Sequence, residues 1–188
     1  MTNPEIKLER IADTSSPIFG DVWAIYEEAF PPDERRKLEQ QRALFANTLY
    51  DFFAAQEGEE VVGLLAAWRF DGFTFIEHYA IRRDLRNKGR GTRLMKGFLA
   101  GNPRIVLETE HPGTEPADRR IKFYKERVGF TINDNHDYIQ PAYSADKNPV
   151  PLFLVTHPGA IDQKEFLKVR ETLHTRVYGL AQPLVKLD

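Results

Sequence analysis

The stretch Arg86-Asn87-Lys88-Gly89-Arg90-Gly91-Thr92 sets two glycines one residue apart among cations, between an apolar segment and one with helical apolar spacing. A helix N-terminus leaves backbone N–H groups unpaired and carries a partial positive charge. With no Cβ at Gly89 and Gly91, phosphate oxygens can approach those groups directly, and Thr92 adds a hydroxyl. Arg82, Arg83, Arg86, Lys88, Arg90, Arg93 and Lys96 surround the corner, and Asp84 is the acid near them in sequence. Such a corner suits a polyanion held by main chain and screened by flexible cations. Spacing excludes two phosphate loops: G-x-x-x-x-G-K-[ST] is absent, and G-x-G-x-x-G fails at Leu94. The pattern present is R-x-x-G-x-G, Arg86 to Gly91. On this motif alone, a solvated surface turn is the alternative.

The corner has to be positioned by its neighbours. "EIKLERI" alternates as a strand does. Asp21 can cap a helix whose Val22, Ile25, Tyr26, Ala29 and Phe30 share a face, and a second helix is expected from about Asp33 to Ala46. "YDFFAAQ", "EVVGLLAAWRF" and "FTFIEHYAI" read as a meander, with Asp71-Gly72 as a hairpin signal. A helix follows the corner through Leu94, Met95, Phe98 and Leu99. Then come the strand "RIVLETE", a helix through "DRRIKFYKERVGF", the irregular stretch "INDNHDYIQPAYSADKNP" and the late strand "VPLFLV". An Asp162-to-Glu165 capping box opens a last amphipathic helix with Phe166, Val169, Leu173 and Val177 on one side. The expected class is a mixed α/β domain over 1–160, with a C-terminal helix and tail, 161–188, packing on that domain or on a second copy of the chain.

Bulk properties narrow the function. The 188 residues carry 26 Lys and Arg against 28 Asp and Glu, so nucleic acid is not expected as a partner. There is no cysteine, which excludes disulfides, thiolate metal sites and a thiol nucleophile. His78, His111, His136, His157 and His174 show no metal-ligand spacing, and no metal is expected. No signal-peptide core or membrane-length apolar run occurs, so the expected place is the cytoplasm, with no membrane partner.

Taken in order, the pieces resemble the GNAT superfamily of acyl-CoA-dependent N-acyltransferases. "FIEHYAI" is similar to that family's fourth strand, "RNKGRGTRLM" to its pyrophosphate loop and helix, and "RIVLETE" to its fifth strand. "RRIKFYKERVGF" is similar to its Phe-Tyr helix, and "AFPPDERR" to acceptor-side helices of many members. The resemblance implies a twisted, mainly antiparallel sheet flanked by helices, its fourth and fifth strands splayed. Acetyl-CoA would be co-substrate, its pantetheine bonding the backbone around Tyr79 and Ile81. Its pyrophosphate would sit on the corner, Arg86, Asn87, Lys88, Gly89, Arg90, Gly91 and Thr92. A fourth-strand N–H would polarise the thioester carbonyl. Two positions depart from the family: many members have asparagine where Ala117 stands and alanine at Arg120, which leaves cofactor contacts from that helix open.

The implied reaction is acetyl transfer to a primary amine of unassigned identity. A lysine-like amine is protonated by a factor of ~10³ near neutral pH, so a base is needed, and the leaving thiolate benefits from an acid. Glu77 is the candidate base, expected to share a strand face with Tyr79 and Ile81 while His78 points the other way. The alternative for Glu77 is a carboxylate paired with a nearby arginine. Tyr124 is the candidate acid, with a half-buried helix aromatic as its alternative. Glu34, Tyr138 and Tyr143 are candidate acceptor-side residues, because a carboxylate with aromatic walls suits a cationic amine. A non-catalytic acyl-CoA-binding sensor is the second functional class.

Overall fold

Strand β3 (Glu60–Phe70) is buried along almost its whole length, as a central strand covered on both faces must be. It lies between β2 (Tyr50–Glu57) and β4 (Phe73–Ile81), and β1 (Lys7–Arg10) completes an antiparallel row in the order β1-β2-β3-β4. A Cβ at Gly63 would stand 2.4 Å from the Ala80 carbonyl oxygen, so only glycine allows this close approach to β4. The structure is a computed structural model that describes residues 4–184. It divides into two compact units, Met1–Asn102 and Pro103–Asp188.

In the first unit, α1 (Phe19–Ala29) packs on β3 and β4. It buries Phe19, Val22, Ile25 and Tyr26, each worth about 1.5–3 kcal/mol when fully covered. Asp21, expected as its cap, lies in the first turn, where a carboxylate still meets the helix dipole favourably. The expected second helix is shorter. Pro32–Glu34 form a single 3₁₀ turn and α2 spans only Leu38–Leu44, because Arg35 and Lys37 are extended. A 3₁₀ turn at Arg83–Leu85 then leads to α3 (Arg90–Gly101).

In the second unit β5 (Ile105–Glu110), β7 (Val150–His157) and β6 (Thr131–Gln140) form an antiparallel row in the order β5-β7-β6. β6 occupies the first part of the stretch read as irregular. Its polar residues hide the strand pattern because some of them are buried and hydrogen-bonded. Asn133 donates to the Leu154 carbonyl and to Thr156, and accepts from the Ile161 N–H. Helix α4 (Glu115–Lys122), capped by Thr114, runs into a π turn at Phe123–Arg127. Helix α5 (Gln163–Thr172) likewise runs into a π turn at Leu173–Val177. Both end the same way. Gly129 and Gly179 are left-handed, and Phe130 and Leu180 donate back to the Tyr124 and His174 carbonyls.

Half of the expected capping box on α5 forms. Asp162 accepts from the Glu165 N–H, while the Glu165 carboxylate turns to Arg104. Phe166, Val169, Leu173 and Val177 are all buried, and Phe166 stacks on His136 of β6. The last four residues of the expected C-terminal segment lie outside the described residues. Among the described residues, no helix is long and apolar enough to cross a membrane.

Candidate active site

The glycine corner is a left-handed turn feeding α3. Asn87 has φ 65° and Gly89 has φ 73°, backbone that asparagine tolerates and glycine adopts freely. At Gly89 this conformation, rather than crowding, demands glycine: an added Cβ would meet nothing nearer than the Arg93 guanidinium at 3.8 Å. Gly89 is the N-cap and offers no side chain to the first turn. The carbonyls of the corner are held from behind. Tyr79 donates its hydroxyl to the Gly91 oxygen at 2.7 Å, Arg86 Nε donates to the Ile81 oxygen at 2.9 Å, and Arg93 donates to the Lys88 oxygen at 3.4 Å. A helix start without a side-chain cap keeps its N–H groups open to an external acceptor.

The charges at the corner differ from the expectation that Asp84 alone opposes them. The turn between β2 and β3 brings in Glu57 and Glu60. Glu57 accepts from Arg90 Nε at 2.9 Å and also from Arg93, and Arg82 pairs with both Glu60 and Asp84. Lys88 and Lys96 are exposed and make no ion pair among the described residues. Sequence reasoning missed Glu57 because its register against β3 and the approach of α3 are long-range facts. Thr92 is half-buried.

Glu77 sits at a β-bulge. Ala66 pairs with His78 and Ala67 with Ile76, leaving Glu77 opposite no residue of β3. The bulge breaks the alternation that was expected to send His78 away from Glu77. Both side chains join one network. Glu77 accepts from Arg36 Nη2 at 2.6 Å through Oε1 and from Trp68 Nε1 at 2.8 Å through Oε2. The Arg36 N–H donates to the Tyr26 hydroxyl at 2.7 Å, and His78 Nε2 lies 2.9 Å from the Glu34 carbonyl oxygen. A carbonyl only accepts, so Nε2 carries the proton. Burial, followed by the Glu77 charge, pushes the Tyr26 and Tyr50 hydroxyls well above their ordinary range. The Glu77 side chain has 0% exposure, whereas the residue as a whole is only half-buried, so its accessible surface is main chain. Of the other candidates here, Tyr79 and Ile81 continue β4 beyond the bulge, paired with Leu65 and Gly63.

Tyr124 lies in the π turn after α4, packed against Phe123 and Phe130, and its hydroxyl makes no hydrogen bond among the described residues. Burial pushes its hydroxyl up to about 12, Arg120 opposes this, and Glu110 adds to it. Arg120 itself pairs with Glu110 of β5, and Ala117 is buried. Tyr138 is an interior residue, 2% exposed, whose hydroxyl donates to Glu108. Tyr143 is buried against Tyr178, with the Lys147 ammonium 5.9 Å from its ring centre. Glu34 is half-buried and offers its backbone oxygen to His78. These three do not form one acceptor wall within either unit: Glu34 belongs to the first, Tyr138 and Tyr143 to the second. Among the described residues, no group of three or more His, Asp or Glu side chains is arranged to hold a metal ion.

Known proteins share both sequence and architecture with this chain. The model of the acetyltransferase (GNAT) family matches residues 17–130. YjbC of Bacillus subtilis (strain 168), whose name carries the word acetyltransferase, is 28% identical over 153 residues, 80% of this chain and 78% of that protein. A solved structure from Bacteroides thetaiotaomicron, named as an acetyltransferase of the GNAT family, is 33% identical with a TM-score of 0.85. The match covers 93% of this chain and 99% of that one. A GNAT acetyltransferase from Elizabethkingia anophelis, solved with acetyl-CoA bound, shares the fold at 17% identity and a TM-score of 0.54, over 82% of this chain and 98% of that one. The family match runs through α1, the β4 bulge, the glycine corner and the Tyr124 turn, and by it this chain belongs to the GNAT acetyltransferase family.

Proposed function

We propose that this protein transfers an acetyl group from acetyl-CoA to a primary amine by direct attack, with the coenzyme diphosphate on the N–H groups of Lys88 to Thr92. The observation that carries this reading is the uncapped first turn of α3, with its carbonyls tied to Tyr79 and Arg93. In this reading the neutral amine nitrogen adds to the thioester carbon while main chain at the β4 bulge stabilises the oxyanion. The C–S bond then breaks, and the sulfur takes a proton from Tyr124. A phenol held up to about 12 enters every turnover protonated, so it is available as a donor across the working pH range. The nitrogen's surplus proton passes to a base. Glu77 fills that role only if its carboxylate opens away from Arg36 and Trp68.

Calorimetry with acetyl-CoA tests the cradle, and free-thiol release across a panel of amines tests the transfer. The expected result is binding together with amine-dependent thiol release. Tyr124→Phe is expected to lower kcat about a hundredfold while leaving acetyl-CoA affinity nearly constant, and equal turnover would end that assignment. The covered carboxylate of Glu77 also suits a non-catalytic acyl-CoA sensor. Binding without thiol release from any amine would select the sensor.

A further inference from the structure

We propose that Arg36 and Glu77 act as a positioning pair, a buried ion pair that clamps the β4 bulge to the segment 34–36 so that the bulge main chain, rather than the Glu77 carboxylate, meets the reactants. The proposal rests on the acetyl-transfer reading for its catalytic consequence, but the clamp itself stands on geometry. Arg36 and Glu77 side chains are 7% and 0% exposed and 2.6 Å apart. The Arg36 guanidinium also lies over the Trp68 ring, 5.9 Å from its centre, while the Trp68 N–H donates to the second oxygen of Glu77. The three side chains thus close a triangle in which each touches the other two.

The main chain is stitched at the same place. The Arg36 N–H donates to Tyr26 on α1, and His78, the residue after the bulge, bonds the Glu34 carbonyl. Adjacent residues of the bulge therefore reach residues 34 and 36, one through a backbone acceptor and one through an ion pair. A bulge has fewer ladder bonds than regular strand, so its shape depends on such outside contacts. Proton acceptance needs a lone pair that an amine or a water can touch, and the Glu77 side chain has no accessible surface. To create one, the Arg36–Glu77 pair, whose side chains are 7% and 0% exposed, would have to open. An unpaired buried charge is strongly disfavoured. What the bulge does expose is its backbone.

The test is a cycle of Arg36→Met, Glu77→Gln and the double variant, read by thermal unfolding and by the pH dependence of kcat/KM for thiol release. Arg36→Lys serves as the conservative rescue. Each single variant is expected to lower Tm by about 10 °C, because each breaks the buried ion pair while keeping one of its two charges in place. The double variant, with both charges of the pair removed, is expected to regain most of that loss, and its acidic pH limb to stay where the wild type has it. Arg36→Lys is expected to recover part of the Tm and the turnover. Additive losses in Tm would overturn the clamp. A double variant that melts like the wild type but has lost the acidic limb and about a hundredfold or more in kcat would make Glu77 the base and also overturn the proposal. If a single variant does not fold, the double variant's Tm and pH limb still decide. Should the wild type release no thiol with any amine, the acetyl-transfer reading fails, while the Tm cycle still decides the clamp.

Discussion

The two units solve the same problem, a carboxylate placed under cover, in different ways. In the first unit the answer is arginine: Glu77 meets Arg36, Glu57 meets Arg90 and Arg93, and Asp51 meets Arg10 and Arg69. In the second, Glu108 of β5 is held by neutral phenols, Tyr138 on one oxygen and Tyr178 on the other at 2.7 Å. A guanidinium cancels charge and directs two donors in a fork, whereas phenols only solvate it. The first arrangement fixes backbone that must keep an unusual shape, at the bulge and the corner. The second builds a polar core beside His174, which is 0% exposed and accepts the Leu184 N–H at Nδ1.

The contrast can be broken by substitution. The largest effect is expected from Arg36→Ala, which removes the guanidinium from its buried pair with Glu77 and is expected to cost about 3–5 kcal/mol in denaturant unfolding. A loss under about 1 kcal/mol would mean that the first unit does not depend on its buried pair. Next is Tyr138→Phe, which removes one donor from Glu108 and is expected to cost about 1.5–3 kcal/mol, the range of a bond to a charged group. A loss as large as that of Arg36→Ala would erase the distinction between the two strategies.

Acid should separate the units further. Burial, with Arg170 adding to it, pulls the His174 imidazole down to about 4 from an ordinary value near 6.5. The unfolded chain therefore binds the proton first. The stability linked to neutral His174 is full above about pH 6.5 and is lost as pH falls toward 4. Stability measured across that window should decline less in His174→Gln than in the wild type, and identical slopes would remove His174 as the cause. The smallest effect is expected from Glu57→Gln, whose partners are partly solvated. About 1 kcal/mol or less of stability should be lost, and acetyl-CoA affinity should fall a few-fold as the corner loosens. Tighter binding would instead mark Glu57 as a competitor for the arginines.

Much of the fold could be read along the chain, because helices and strands announce themselves by local period. The meander, the helix after Gly91 and the buried stripe Phe166, Val169, Leu173 and Val177 fall where their spacing put them. The signal failed where local pattern and burial part company. β6 is polar in sequence because Asn133 and His136 are buried with hydrogen-bond partners, and the helix expected from Asp33 breaks because Arg35 and Lys37 are extended. At the site, the corner was legible from glycines and cations a few residues apart. Arg36 was not, since 41 residues separate it from Glu77. Nor was Tyr138 as an interior donor, because an aromatic near an expected cleft looks the same whether it faces the ligand or a buried carboxylate.

The sequence by itself determined the succession of elements and the left-handed, cation-rich entry to α3, since φ preference, capping and apolar period act between near neighbours. Only the tertiary structure decided which charges neutralise which, and that Glu77 and His78 join one network. Those outcomes depend on the register of β3 against β4 and on one extra residue in the ladder. A single-residue slip redirects every side chain beyond it, and nothing local in the chain announces where it falls.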